Sequence, residues 1–143
     1  MSKDLETAAI QVINFFNQLD YVGLEGTMDS NVILKKVLHP GSVTGIGNVS
    51  GYLDNHMKLS RPKLLNPDGI SLWSKPPSSL KLISTSTDTY GRASGTGIYS
   101  DQNGTGQTPT KTPISFTLDF VRESSADDWS FSNSFSTPTG PTV

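Results

Sequence analysis

The chain of 143 residues has no cysteine, no lysine- or arginine-rich block and no hydrophobic run long enough to span a bilayer. The missing thiols exclude disulfides, thiolate nucleophiles and cysteine metal sites. With a formal net charge of −2, the chain also lacks the basic stripe that offsets the phosphate charge of nucleic acids. The charged opening MSKDLETAAI does not resemble the apolar core of a signal peptide. We therefore expect a soluble cytoplasmic domain that binds neither nucleic acid nor membrane.

Residues that could hold a metal or act as a nucleophile are scarce. The two histidines, His39 and His56, show no recognisable metal-ligand spacing. No serine lies in a G-x-S-x-G nucleophile elbow. We expect no metal and no cofactor.

Helical periodicity occurs in the first third of the chain. Hydrophobic residues recur every three or four positions over residues 4–19, which predicts an amphipathic helix that Ser2 or Asp4 could cap. A second helix is predicted over residues 48–57, with Asn48 as its cap. Between them, glycines leave room for at most one short helical turn before Val32.

The remainder is predicted to be β-structure. Strands are expected at residues 32–39, 80–87, 90–100, 112–122 and 128–136, and the proline-rich stretch before residue 80 is predicted to be a wrapping loop. Helices first and strands afterwards indicate an α+β fold with helices on one face of an antiparallel sheet. We expect one domain over residues 1–137, followed by a flexible tail at 138–143.

Four segments carry a resemblance to a known superfamily. A helix ending FFNQLDYVG, a strand ending VLHPG, a helix in GNVSGYLDNHM and a terminal strand WSFSNSFSTP are similar to those of nuclear transport factor 2-like proteins. That superfamily includes SnoaL-type polyketide cyclases and ketosteroid isomerase. The resemblance implies a cone-shaped, curved antiparallel sheet wrapped around the N-terminal helices (a cystatin-like fold). It also implies a pocket at the open end and often a homodimer through the sheet face.

The resemblance also suggests residue roles. His39 would take the place of the proton-shuttling base of the isomerases, and Asp119 that of the acid that helps to hold their oxyanion. Phe15 stands where those enzymes present a tyrosine. Because a phenyl ring cannot donate a hydrogen bond to an enolate, this departure counts against steroid-type isomerase chemistry.

The alternation of side chains along the strands leaves the orientation of both candidate catalytic residues open. His39 shares one side of its strand with Ile33 and Lys35, so an inward histidine would bring a lysine inward too. Asp119 alternates with the hydrophobic residues Phe116, Leu118 and Phe120. If these form the core, Asp119 points to solvent. If Asp119 points inward, a second subunit must cover the hydrophobic face, which would predict a homodimer.

Several further side chains are candidates to line the pocket. Trp129, Phe131 and Phe135 alternate with serines, which predicts a half-buried strand and places Asn133 on the same face as the aromatic rings. An inward Arg92 could anchor a carboxylate ligand. The candidate pocket-lining residues are Phe15, Tyr21, Tyr52, His56, Arg92, Trp129 and Asn133.

Two functional hypotheses follow from these patterns. The first is a domain that binds a small, largely apolar organic molecule, with or without lyase- or isomerase-type proton transfer led by His39. The second is a non-catalytic dimeric interaction or ligand-binding module. An enclosed apolar cavity favours the first hypothesis, and an interior filled by side chains with a broad exposed sheet face favours the second.

Overall fold

A computed structural model of the chain describes residues 4–17, 20–35, 41–60, 82–101 and 110–141. Within these residues there are three helices, α1 (Leu5–Asn17), α2 (Tyr21–Glu25) and α3 (Ile46–Ser60). There are also six strands, namely β1 (Met28–Lys35), β2 (Ser42–Thr44), β3 (Ile83–Ser86), β4 (Tyr90–Asp101), β5 (Thr110–Val121) and β6 (Ser130–Pro138). None of these helices combines the length and hydrophobicity needed to cross a membrane.

Helix α1 forms where the periodicity predicts it. Its first turn is capped by Asp4, whose Oδ1 accepts a hydrogen bond of 2.7 Å from the Thr7 amide. Its buried stripe includes Ala9, Val12 and Phe16. The single predicted turn of helix is the five-residue α2, in which Asp20 Oδ1 accepts from the Gly23 amide at 2.9 Å.

Element boundaries differ from the prediction around β1 and α3. Strand β1 begins at Met28 rather than 32, and the short β2 was not predicted. Gly45, at φ +88°, turns the chain from β2 into α3, and its amide donates to the Val32 carbonyl at 2.8 Å. Helix α3 therefore starts before Asn48, whose side-chain amide donates to the Thr44 carbonyl at 3.0 Å instead of capping the helix.

The strands form one sheet in the order β2-β1-β6-β5-β4-β3. The α+β fold class, with helices on one side of the sheet, is confirmed. The sheet is mixed rather than wholly antiparallel, because β1 pairs in parallel with β6 while the other neighbouring strands are antiparallel. A parallel pair requires a long crossover, and the chain between β1 and β6 provides it.

The core lies between the helices and one face of the sheet, which we call the inner face. On β5 this face carries Ile114, Phe116, Leu118 and Phe120, all buried with residues of α1 and α3 in one hydrophobic cluster. The alternative in which a second subunit covers these side chains is therefore wrong, since the helices of the same chain cover them. On β1, Val32 and Leu34 also point inward.

A bulge in β6 changes which of its side chains face the core. Phe131 pairs with Phe120, but Asn133 pairs with Asp119, so two steps along β6 match one step along β5. The extra residue reverses the alternation. Phe131 is buried on the inner face, whereas Ser134 and Ser136 take the inner positions beyond the bulge. Asn133 therefore does not share a face with Phe131, contrary to the prediction. Strand β6 ends at Pro138, which is the first residue of the tail predicted at 138–143.

Candidate functional site

The described residues line an open pocket of about 290 Å³, which we call the cavity, between α1, α2 and the hairpin that joins β5 to β6. Helix α1 contributes Ala8, Gln11 and Phe15, one helical turn apart along a single side. Gly23 lies opposite Phe15. A Cβ atom on Gly23 would lie 2.6 Å from Cε1 of the Phe15 ring, which is too close for any side chain. Only glycine at this position lets the Phe15 ring line the cavity.

The opposite wall comes from the end of β5 and the start of β6. Phe120 and Trp129 line it, together with Asp128 at the exposed rim. Gly26 and Thr27, in the turn between α2 and β1, close the cavity from the side. The Thr27 carbonyl accepts a hydrogen bond of 2.7 Å from the Phe131 amide, which ties this turn to β6. The cavity is therefore held by hydrogen bonds between segments that are distant in sequence.

Trp129 is fixed from outside the cavity by Arg122. The Arg122 guanidinium carbon lies 3.8 Å from the centre of the Trp129 ring, within cation–π distance. Nε of the same arginine donates to the Asp88 carbonyl at 2.7 Å. The tryptophan wall is thus connected to the turn between β3 and β4.

The chemistry of the cavity walls suits an apolar ring more than a highly polar ligand. Three aromatic rings, those of Phe15, Phe120 and Trp129, are accompanied by one amide, one hydroxyl and one carboxylate. The volume is close to the lower limit of about 300 Å³ for ligand pockets and about twice the ~150 Å³ of a cavity that holds benzene. In the described part of the chain, no group of three or more potential metal ligands is present.

Asp119 lies on the outer face of the sheet, which we define as the side turned away from the helices. It is only 4% exposed, because the side chains around it on the outer face cover it. Arg92 donates twice to its carboxylate, from Nε at 2.7 Å and from Nη2 at 3.0 Å. Asn133 Nδ2 lies 3.5 Å from the same carboxylate.

The Asp119 carboxylate is therefore already paired with the Arg92 guanidinium when no ligand is bound. The hydrogen bonds and charge of Asp119 raise the pKa of Arg92 above its ordinary value, so this guanidinium stays charged. The Arg92 guanidinium also lies 5.8 Å from the centre of the Phe135 ring. The residues Arg92, Asp119 and Asn133 therefore form an outer-face ion-pair cluster, and none of them lines the cavity.

The predicted site residues thus separate into four groups. Phe15 and Trp129 line the cavity. Arg92, Asn133 and Asp119 lie on the outer face, Asn133 because of the β6 bulge. Tyr52 is half-buried against the core and outside the cavity lining, and this burial raises the pKa of its hydroxyl. His39 and the side chains of Tyr21 and His56 lie outside the described residues.

Other cavity residues were not singled out from the sequence. The polar groups of the lining belong to Gln11, Thr27 and Asp128. Gly26 also lines the cavity and has no side chain to fill it. The two glycines in VGLEG interrupt the helical pattern, and the first of them also indicates close approach to a neighbouring ring. Gln11 lies one turn before Phe15, so the helical period could have found it.

Comparison with solved structures identifies the fold. A ketosteroid isomerase-like protein from Erwinia carotovora atroseptica is 11% identical, with a TM-score of 0.66 over 96% of this chain and 95% of that one. An NTF2-like protein with a cystatin-like fold from Novosphingobium aromaticivorans is 12% identical, with a TM-score of 0.66 over 94% and 79%. The chain has the nuclear transport factor 2-like fold. The resemblance inferred from FFNQLDYVG, VLHPG and the later segments is confirmed at this level.

Another structure with the nuclear transport factor 2-like fold is named for an activity. A candidate dehydratase of the NTF2-like family from Streptomyces avermitilis is 12% identical, with a TM-score of 0.67 over 93% of this chain and 92% of that one. No protein-family model and no curated protein matches the sequence. Identities this low establish the fold and leave the activity to the residues of the site.

Proposed function

We propose that this domain binds a small, largely apolar organic molecule in the cavity between α1, α2 and the β5–β6 hairpin. The observation that carries the proposal is the wall of three aromatic side chains, Phe15, Phe120 and Trp129, around about 290 Å³. Burying a ring against such a wall is favourable by roughly 25 cal/mol for each Å² of apolar surface removed from water. The Thr27 hydroxyl, which donates to the Leu24 carbonyl at 2.7 Å, would orient the ligand by accepting a hydrogen bond from it.

A cavity-filling substitution tests this proposal. Indole serves as the probe, and its binding is followed through the backbone amide NMR signals of the residues around the cavity. Replacing Ala8 by Leu places three additional carbon atoms in the lining, so we expect indole affinity to fall at least tenfold. The matched control is Ala126→Leu, which makes the same change in an exposed turn. Equal indole binding by both variants and the wild type would contradict the proposed site.

We further propose, separately from ligand binding in this cavity at the start of β1, that the domain catalyses proton transfer of the lyase or isomerase type, with His39 as general base. Support comes from the sequence, in which the spacing from Asp20 to His39 is similar to that between the end of the first helix and the catalytic aspartate of the isomerases that the chain resembles. An imidazole suits this role because it exchanges protons near neutral pH. Asp119 has no part in the proposed chemistry, since Arg92 already holds its carboxylate on the outer face.

The proton-transfer step can be tested without the natural substrate. 2-Tetralone in D₂O exchanges the protons beside its carbonyl when a base removes them, and NMR follows the loss of signal. General-base catalysis contributes about 10²–10⁴-fold, so His39→Gln should lower the protein-catalysed rate at least a hundredfold. His56→Gln, at the other histidine, is the matched control. Equal rates for His39→Gln and the wild type would remove His39 from the mechanism and leave a binding-only domain.

A non-catalytic dimeric module is the second candidate function, and the outer sheet face favours it. Ile33, Ile83 and Tyr90 are exposed on this face, and Ile83 is 76% exposed. We propose that the outer face forms a homodimer. Sedimentation of Ile33→Lys and Ile83→Lys should then show a monomer, while Val22→Lys, at an exposed apolar residue of α2, should leave the dimer intact. A monomeric wild type at micromolar concentration would exclude this dimer.

A further inference from the structure

Acidic side chains outnumber basic ones in the hairpin at the rim of the cavity. Asp128 is the one charged residue among its lining residues in the described part of the chain. Residues 122–129, which connect β5 to β6 at the rim, contain the acidic residues Glu123, Asp127 and Asp128 against the single base Arg122. A concave site with acidic groups at its rim raises the local concentration of cations.

The cavity walls are also suited to a cation. Aromatic faces attract positive charge through the ring quadrupole, and the attraction grows when the site excludes water. The Arg122 guanidinium, whose carbon lies 3.8 Å from the centre of the Trp129 ring, already occupies one face of that ring, so a ligand cation would have to use the opposite face. Phe15 and Phe120 provide two more rings on either side of the same cavity.

We infer that the molecule bound in this cavity carries a trimethylammonium group, held by the aromatic walls with the Asp128 carboxylate at the rim. This inference rests on the proposed function, because it names the chemical class of the ligand for the same cavity. A trimethylammonium group is the form of cation that suits the site best. Its methyl groups make apolar contacts, and it offers no N–H donor for which the cavity would need several acceptors.

Two probes of nearly equal shape separate charge from size. Choline carries a trimethylammonium group, and 3,3-dimethyl-1-butanol has a tert-butyl group in its place and no charge. Neither probe absorbs where tryptophan does, so Trp129 fluorescence in a Trp73→Phe background reports the binding of both. We expect choline to bind roughly tenfold more tightly than the neutral alcohol. The ratio should fall as salt concentration rises, because Asp128 is exposed to solvent.

Two variants locate the source of this preference. Asp128→Asn keeps the shape of the side chain and removes its charge, and Phe15→Leu removes one ring of the wall. Each should lower the ratio of choline to alcohol affinity at least threefold. Glu123→Gln removes one negative charge from the same hairpin at an exposed position outside the lining, and should change the ratio less than twofold.

The results distinguish failure of this inference from failure of the proposed function. If the wild type binds indole but shows no preference for choline over the alcohol, the cavity is a ligand site and the inference of a cationic ligand is wrong. If Glu123→Gln reduces the ratio as much as Asp128→Asn, the preference comes from the general charge of the hairpin and the assignment to Asp128 is overturned. If indole, choline and the alcohol all fail to bind, the proposed function fails first.

Discussion

On β5, the inner and outer faces both bury side chains, and the groups that cover them differ. Leu118 and Phe120 face inward and are covered by helices and neighbouring strands in the hydrophobic cluster. Asp119, between them in sequence, faces outward and is buried by Arg92 and Asn133 on the adjacent strands. Three consecutive side chains are thus excluded from water. Leu118 and Phe120 are covered by hydrophobic neighbours, and Asp119 is covered by the groups that hydrogen-bond to its carboxylate.

The difference shows that burial on its own does not mark an inward-facing residue. An apolar side chain gains free energy in proportion to the area removed from water, whichever neighbour covers it. A carboxylate loses free energy on burial unless a charged and correctly oriented donor replaces the water. We therefore expect protein stability to depend on side-chain volume at the inner face and on the ion pair of Asp119 at the outer face.

The largest expected effect is on the inner face. Replacing Phe120 by Ala removes a buried ring from the core and from the cavity wall, and such substitutions cost about 3–5 kcal/mol of unfolding free energy. The adjacent Val121 faces outward and is partly exposed, so Val121→Ala should cost about 1 kcal/mol. Urea unfolding of the two variants measures the contrast.

Equal losses for these neighbouring substitutions would contradict the assignment of the two faces. The m-value provides a control. If it stays constant in both variants, the change in midpoint reports stability rather than a change in the compactness of the unfolded state.

The order of the helices and longer strands was predictable from the sequence, as was the fold, whereas the short β2 and one strand pairing were not. The three- and four-residue spacing of Ala9, Val12 and Phe16 gave α1, and alternation gave β5 and β6. The parallel pairing of β1 with β6 depends on contacts between residues about one hundred positions apart, such as Leu34 with Ser134. Local patterns carry no information about such pairings, which the packing of the whole chain determines.

The site was only partly predictable because of one inserted residue in β6. The alternation of aromatic residues and serines in WSFSNSF continues unbroken, so the sequence predicts that Asn133 follows Phe131 onto the inner face. The bulge instead turns Asn133 toward Asp119. A bulge of this kind leaves no composition signal here, since the strand contains no glycine to mark it. The prediction that Phe15 and Trp129 line a pocket does not depend on how β5 pairs with β6, and both residues line the cavity.

A smaller effect is expected when the cover of Asp119 is removed from the outer face. Arg92→Met keeps the aliphatic stem and deletes the guanidinium, which leaves the buried carboxylate without its charged donor. We expect lower stability than the wild type, with a loss below that of Phe120→Ala because water can reach the vacated position. Adding Asp119→Asn to Arg92→Met should restore part of the loss, since an amide is less costly to bury than an unpaired charge.

Lys35→Met is the matched control for this cycle. Lys35 is an exposed cation on the outer face of β1, so its removal should change stability little. If Arg92→Met is as harmless as Lys35→Met, the ion pair does not stabilise the fold, as is found for many exposed salt bridges.

The smallest expected effect concerns the pH dependence of the outer face. Partial burial raises the pKa of the Tyr90 hydroxyl above its ordinary value of about 10, and the hydrogen bond to Asp119 and the negative charge of its carboxylate raise it further. Because the folded state holds this proton more tightly than the unfolded state, the stabilisation is complete below pH 10 and declines as pH rises beyond it. Urea unfolding between pH 9 and 11 should therefore show a shallower decline for Tyr90→Phe than for the wild type. In an Asp119→Asn background the same substitution should make less difference, and an unchanged difference would show that the carboxylate does not act on Tyr90.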